Sequence, residues 1–252
     1  MNHHLPPKEI YKYRDAKWGL EILRSKNLYY SSPLSFEDSK DCNLNLMSFD
    51  KPSNSKIEEI LNRTNYNRKE KRKKIWFYKH NPKEFGVIYQ ENFEQLLSKT
   101  RVSCFSKRPD IKRLWKEYAD NGKGICIRFN SRIEIDVIIP KEVTYYEKLP
   151  SFNFFEFDNE KTSILDFFTC KLKSKYGFEE EIRLFHFNEK KLVHFSPDLI
   201  EEVILGKNIS EEIENEVFNL LKEPCYSKVL IKKVIDDNPF VKLSENIILP
   251  TI

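Results

Sequence analysis

The ten residues Tyr176-Gly177-Phe178-Glu179-Glu180-Glu181-Ile182-Arg183-Leu184-Phe185 constrain the fold more than any other stretch. Side chains alternate between the two faces of a strand. Phe178, Glu180, Ile182 and Leu184 then point one way, and Glu179, Glu181, Arg183 and Phe185 the other. One face carries two carboxylates and a guanidinium in a row, ending at an aromatic ring. A solvated edge strand carries such charges cheaply, as an arginine–glutamate ladder. A strand inside a cleft carries them only if they are used.

The rest of the chain supplies the context. Ile10-Tyr11-Lys12-Tyr13-Arg14 predicts a first strand with Tyr11 and Tyr13 on one face and Lys12 and Arg14 on the other. Asp15 is placed to cap an amphipathic helix running to about Lys26. Leu28-Tyr29-Tyr30-Ser31-Ser32-Pro33 predicts a strand stopped by proline, followed by an acidic loop with Glu37, Asp38 and Asp41. Residues 52–100 read as a helical basic insertion. Its run Arg68-Lys69-Glu70-Lys71-Arg72-Lys73-Lys74 precedes Ile75-Trp76-Phe77-Tyr78, a pattern suited either to a solvated helix face or to gripping a phosphate backbone and stacking bases. Further strands are expected at Arg101–Ser106, Ile125–Phe129, Ile133–Ile139, Val143–Tyr146, Leu192–Phe195, Glu202–Gly206 and Lys228–Val234. Helices are expected at Asp110–Ala119, Asn159–Lys173 and from Ser210 to Leu221, with a Phe-rich connector over Leu149–Asp158 and a strand or tail after Asp237. Strands outnumber helices, and the helices are grouped rather than alternating. That predicts an α+β fold with a mixed sheet, as one domain spanning 1–252.

With only 6 glycines in 252 residues, neither common Gly-rich phosphate loop is present. The five cysteines are scattered and none forms a C-x-x-C pair, which points to a reducing compartment rather than a disulfide frame or zinc site. The polar start with His3-His4 is no signal peptide, and no run reaches membrane-helix length, so cytoplasm and no membrane are the expectation. No histidine has a second ligand at helical or hairpin spacing, and no resident metal is expected.

Several pieces in fixed order resemble a large bacterial family, domain-of-unknown-function family 2971. They are Tyr11-Lys12-Tyr13-Arg14, Leu28-Tyr29-Tyr30-Ser31-Ser32-Pro33, Cys104-Phe105-Ser106, Trp115-Lys116-Glu117-Tyr118-Ala119, Gly124-Ile125-Cys126-Ile127-Arg128-Phe129, Phe178-Glu179-Glu180-Glu181-Ile182-Arg183 and Ile200-Glu201-Glu202-Val203-Ile204-Leu205-Gly206. The family's N-D-P-x-D loop is here Glu37-Asp38-Ser39-Lys40-Asp41, and its tryptophan before the acidic strand is Tyr176. The same order is similar, more distantly, to ADP-ribosyltransferases. That resemblance implies a split mixed sheet with flanking helices, around a cleft that takes NAD as substrate. Arg14, with Tyr13 beside it, would hold the phosphates or ribose. Ser106, or Ser31 and Ser32, would lie on the nicotinamide side, and Trp115 or Tyr118 would stack on the nicotinamide. Glu181 would be the catalytic carboxylate, Glu179 its helper, and Arg183 would keep both ionised. The acceptor would be protein or nucleic acid, as for a bacterial toxin or antiphage effector with an antitoxin or defence partner.

Two other readings use the same residues. Asp38, Asp41, Glu179 and Glu181 could be oxygen ligands of a metal-dependent nuclease or phosphoesterase, with Lys173 or Lys175 as charge stabiliser. A non-enzymatic nucleic-acid-binding or protein-binding module would use Arg68, Lys69, Lys71, Arg72, Lys73 and Lys74. A purely structural account makes Tyr11, Tyr13, Trp115 and Tyr118 core aromatics and pairs Arg14 with Glu179 or Glu181.

Overall fold

The computed structural model describes residues 8–50, 52–131, 140–157 and 163–248. The first half runs β1 (Glu9–Arg14), α1 (Ala16–Ser25), β2 (Asn27–Tyr29), β3 (Met47–Ser48), α2 (Asn54–Asn62), α3 (Arg68–His80), α4 (Pro82–Lys99), β4 (Arg101–Ser106), α5 (Lys112–Glu117) and β5 (Ile125–Asn130). The second half runs β6 (Lys141–Glu142), β7 (Thr144–Tyr146), β8 (Phe152–Asn153), α6 (Ile164–Phe168), β9 (Cys170–Leu172), α7 (Lys173–Tyr176), β10 (Glu181–His186), β11 (Leu192–His194), β12 (Ile200–Leu205), α8 (Glu211–Leu221), β13 (Leu230–Asp236) and β14 (Lys242–Leu243).

Eight strands form one sheet in the order β14-β13-β12-β5-β1-β4-β10-β6. It is mixed: β12 and β13 are parallel, joined through α8, and the other neighbours are antiparallel. This is the α+β organisation expected from the grouped helices. β1 pairs with β5 from Glu9 to Arg14, and β4 pairs with β10 from Arg101 to Ser106. Between β1 and β4, however, the ladder is one pair, Tyr11↔Ser106. The sheet parts at its centre beyond that pair.

Local sequence explains the main elements. Asp15 accepts from Trp18 N at 3.0 Å and caps α1. Leu20, Ile22 and Leu23 of α1 face the sheet, together with Val217 and Leu221 of α8. Burying each such side chain contributes about 1.5–3 kcal/mol. Ile10, Phe105, Ile127, Ile182 and Leu184 belong to the same core. The opposite sheet face has two separate cores. Leu114 and Trp115 of α5 cover Tyr11, Tyr13, Cys126, Ile204 and Val234. Ile57, Leu61, Phe85, Phe93 and Leu97 from α2 and α4 pack with Val102, Phe152, Phe155, Phe167, Phe168 and Phe185. The helical insertion is therefore not peripheral: it shares a core with the Phe-rich connector. The gap between these two cores lies over the β1–β4 parting.

Three sequence expectations are corrected. Strand β10 begins at Glu181, not Tyr176, because Lys173–Tyr176 is helical and Gly177–Glu179 is a 3-10 turn. The expected helix 159–173 is a short helix, Ile164–Phe168, followed by strand β9. Residues 149–157 contain strand β8 and a 3-10 turn, not only a connector. The expected strand 133–139 lies wholly outside the described residues, as do 159–162 and the last residues of the tail. No helix among the described residues is long and apolar enough to cross a membrane.

Candidate active site

The parting between β1 and β4 opens into a cleft of about 340 Å3. Arg14, Tyr13, Ser31, Ser106, Tyr118, Glu179, Glu181 and Arg183 all line it. The row Tyr11↔Ser106↔Glu181 crosses from β1 through β4 to β10 and brings the two ends of the sequence pattern together. Ser32 and Trp115 are not in the lining. Ser32 caps a 3-10 turn, and Trp115 is buried edge-on against Tyr13, its indole N–H donating to Pro109 O. Tyr13 donates its hydroxyl to Arg108 O, and Ser106 donates to Glu179 O, so these two shape the wall.

Arg183 is the centre of the β10 wall. It is 0% exposed, and its Nε donates to Glu181 at 2.8 Å. Nη1 donates to Asp41 at 2.8 Å and to Phe168 O at 2.7 Å. Nη2 donates to Asp41 at 2.5 Å and to Glu181 at 3.3 Å. All five N–H donors of the guanidinium are thereby used, as a fully buried arginine requires. Lys171 of β9 lies beside it and donates to Glu179 at 2.6 Å and Glu181 at 2.9 Å. Glu179 reaches the cluster by a different route from simple strand alternation. Glu180 takes a left-handed conformation (φ 45°) and folds the chain so that both flanking carboxylates face the cleft. Glu180 itself pairs at the surface with Arg108.

The cluster holds three carboxylates, Asp41, Glu179 and Glu181, and two cations, Lys171 and Arg183. It is one positive charge short. The shortfall drives the two glutamates apart. Burial works to raise the Glu181 carboxyl, but Arg183 and Lys171 overcome it and pull it down to about 2. Burial and the nearby Glu181 raise Glu179, against Lys171 and the Tyr118 hydroxyl, which donates to it at 2.8 Å. Two carboxylates pushed in opposite directions are what a site needs to hold one anion and one proton-accepting group. Burial and Glu181 raise the Cys104 thiol to about 12, so it is no thiolate nucleophile.

The β1 wall has the opposite character. Lys12 crosses the parting and donates to Ser103 Oγ at 2.9 Å and Cys104 O at 2.6 Å, with no carboxylate partner among the described residues. Burial and then Arg14 lower its ammonium well below the ordinary lysine range. Arg14 is partly buried, and that burial lowers its guanidinium. Its guanidinium makes no hydrogen bond or ion pair among the described residues, so pairing with Glu179 or Glu181 is not its role. Tyr118 (44% exposed), Tyr176 and Phe36 put rings along the cleft between the walls.

Sequence reasoning missed Lys171 and Lys12 and named Asp41 only as a metal ligand. Lys171 sat inside an expected helix, and Lys12 was placed only on the strand face shared with Arg14, with no role. Asp41, Glu179 and Glu181 do converge, but their oxygens are committed to Arg183 and Lys171. Among the described residues no three His, Cys, Asp or Glu side chains are grouped so as to hold a metal ion. Lys173 pairs with Glu147, away from the acidic cluster. The basic run lies on α3, outside the cleft lining.

Comparison with known proteins leaves the geometry to speak alone: no family model, curated protein or solved structure matches the chain.

Proposed function

We propose that this cleft binds NAD and transfers its ADP-ribose to an acceptor. One observation carries the reading: the cleft is bipolar. Its β10 wall is a carboxylate cluster lacking one cation, and its β1 wall carries the Arg14 guanidinium, which has no ion pair or hydrogen bond among the described residues. NAD has the complementary charges, a pyridinium at one end and a pyrophosphate in the middle.

Cleavage of the bond between ribose C1′ and the nicotinamide nitrogen leaves the electron pair on that nitrogen. Positive charge then develops on the ribose. Glu181, ionised through its two cations, is the group that stabilises this charge and holds the ribose 2′-hydroxyl. The acceptor attacks C1′ and gives up its proton to Glu179, whose raised carboxyl suits it to proton transfer. Arg14 holds the pyrophosphate, and Tyr118 with Tyr176 and Phe36 supplies faces for the nicotinamide or adenine ring. Arg183 and Lys171 act through the two glutamates as positioning residues.

Calorimetric titration with NAD tests the assignment. Wild type is expected to bind, and Arg14→Gln to bind at least tenfold more weakly, the loss of a charge-assisted phosphate contact. Absence of binding by the wild-type chain, or an Arg14→Gln affinity equal to wild type, sinks the proposal.

A further inference from the structure

Helix α3 is out of balance with the rest of the chain. It carries seven lysines and arginines against one carboxylate, a net +6. The whole chain is only +4, so everything else sums to −2. The single carboxylate, Glu70, is bound in the capping box with Asn67 at the helix start.

The charge is also sorted by face. Ile75 and Tyr78 pack onto the insertion's core, and on that side Lys71 donates to Asn62 O while Lys74 lies over the Tyr66 ring. Lys79 is paired with Glu58. At about 100° per residue, Arg68, Arg72, Trp76, Lys69, His80 and Lys73 fall within roughly 140° of arc on the other side. All six are exposed. Arg68, Lys69, Arg72 and Lys73 have no ion pair or hydrogen bond from their side chains among the described residues. Trp76 is 65% exposed, and its ring lies 4.5 Å from the His80 ring. Nothing in local structure requires a tryptophan there.

We infer that this face of α3 binds single-stranded nucleic acid, Arg68, Lys69, Arg72 and Lys73 contacting phosphates and Trp76 stacking on an unpaired base. Cations in a row attract any polyanion, but an exposed ring one turn from Arg72 and Lys73 suits a base that is free to stack. An anionic membrane is the weaker fit, because the apolar side of α3 is already packed and only Trp76 and Phe77 remain to enter a bilayer. The inference does not depend on the NAD reading, and its test contains no NAD.

The experiment is fluorescence anisotropy of a labelled oligothymidine of about 20 nucleotides, titrated with the full chain at several salt concentrations. Four phosphate contacts to a single strand give a log–log salt slope of about −3, or about a fifty-fold loss of affinity between about 50 and about 200 mM salt. Arg72→Glu with Lys73→Glu is expected to halve that slope and to weaken binding at least tenfold. Trp76→Ala is expected to weaken binding roughly tenfold and to leave the slope unchanged, because it removes stacking and no charge. These positions are solvent-facing, and circular dichroism melts of each variant check that it folds. Absence of binding, binding indifferent to the double charge reversal, or tighter capture by phosphatidylserine vesicles than by the oligonucleotide each overturns the inference. So does equal affinity for duplex DNA with no effect of Trp76→Ala.

Discussion

Replacing Arg183 by methionine keeps much of the side chain's length and removes its charge and all five donors. The cost follows from the groups it leaves behind. Glu181 is held at about 2 against an ordinary 4.5. At about 1.4 kcal/mol per pKa unit, its ionised form contributes on the order of 3 kcal/mol to folding. Because the folded value lies below the unfolded one, that stability is fully present above about pH 4.5 and is lost as pH falls toward about 2. Arg183 is the stronger of the two cations acting on Glu181, and it also holds Asp41 through both terminal nitrogens. Removing one partner of a buried pair costs about 3–5 kcal/mol. With two carboxylates abandoned, the upper part of that range applies. At about 2–4 °C per kcal/mol for a chain of this size, the melting temperature at neutral pH should fall by about 10 °C or more. Asp41→Asn provides the contrast. It takes the cluster's formal charge from −1 to zero and leaves Arg183 paired with Glu181, so it should cost less. Thermal and urea melts from neutral pH down to about pH 4 measure both variants, and the Arg183→Met deficit should shrink as the abandoned Glu181 carboxylate protonates. An Arg183→Met variant melting within about 3 °C of wild type, or an Asp41→Asn variant less stable than Arg183→Met, refutes the reasoning.

Tyr118→Phe removes the hydroxyl that lowers Glu179; the acidic limb of the pH–rate profile for nicotinamide release should move to higher pH while stability changes by less than about 1 kcal/mol. His186 is buried against Tyr30, and burial with the charges of Arg101 and Lys190 lowers its imidazole. Its neutral form therefore supports the fold above about pH 6.5 and that support is lost as pH falls, so His186→Phe should flatten the dependence of melting temperature on pH below that point. A Cβ at Gly124 would stand 2.1 Å from the Arg14 carbonyl oxygen and 2.9 Å from Asp15 Cα. Gly124→Ala should cost about 1–3 kcal/mol and, by displacing Arg14, weaken NAD binding in calorimetry.

Much of the cleft was legible because it is built on two strands whose alternation is local. Tyr11-Lys12-Tyr13-Arg14 and Glu181-Ile182-Arg183 each declare their faces in sequence, and both strands line the cleft. What joins them is not local. The single Tyr11↔Ser106 pair that lets the sheet part is a matter of register between strands some 95 residues apart, and no residue type announces it. Lys171 was hidden because Cys170-Lys171-Leu172 is only three residues of strand between two short helices, too little for a period to show. Glu179 was assigned to the right wall by the wrong geometry, since a left-handed residue at Glu180 happens to reproduce the result of alternation. The Phe-rich connector looked like a linker because its partners, Phe85 and Phe93, come from the insertion far upstream.

In the proposed reaction Glu181, facing the cleft between two cations, is the carboxylate that stabilises positive charge on the ribose as nicotinamide departs. The most direct test of that role is the rate of nicotinamide release from NAD by wild type, Glu181→Gln and Glu180→Gln, the last altering only a surface partner of Arg108. Wild type and Glu180→Gln are expected to release nicotinamide at similar rates, and Glu181→Gln to lose about a hundredfold or more, the scale set by removing one electrostatic stabiliser of a transition state. Release by Glu181→Gln at the wild-type rate, or no release by wild type, contradicts that role.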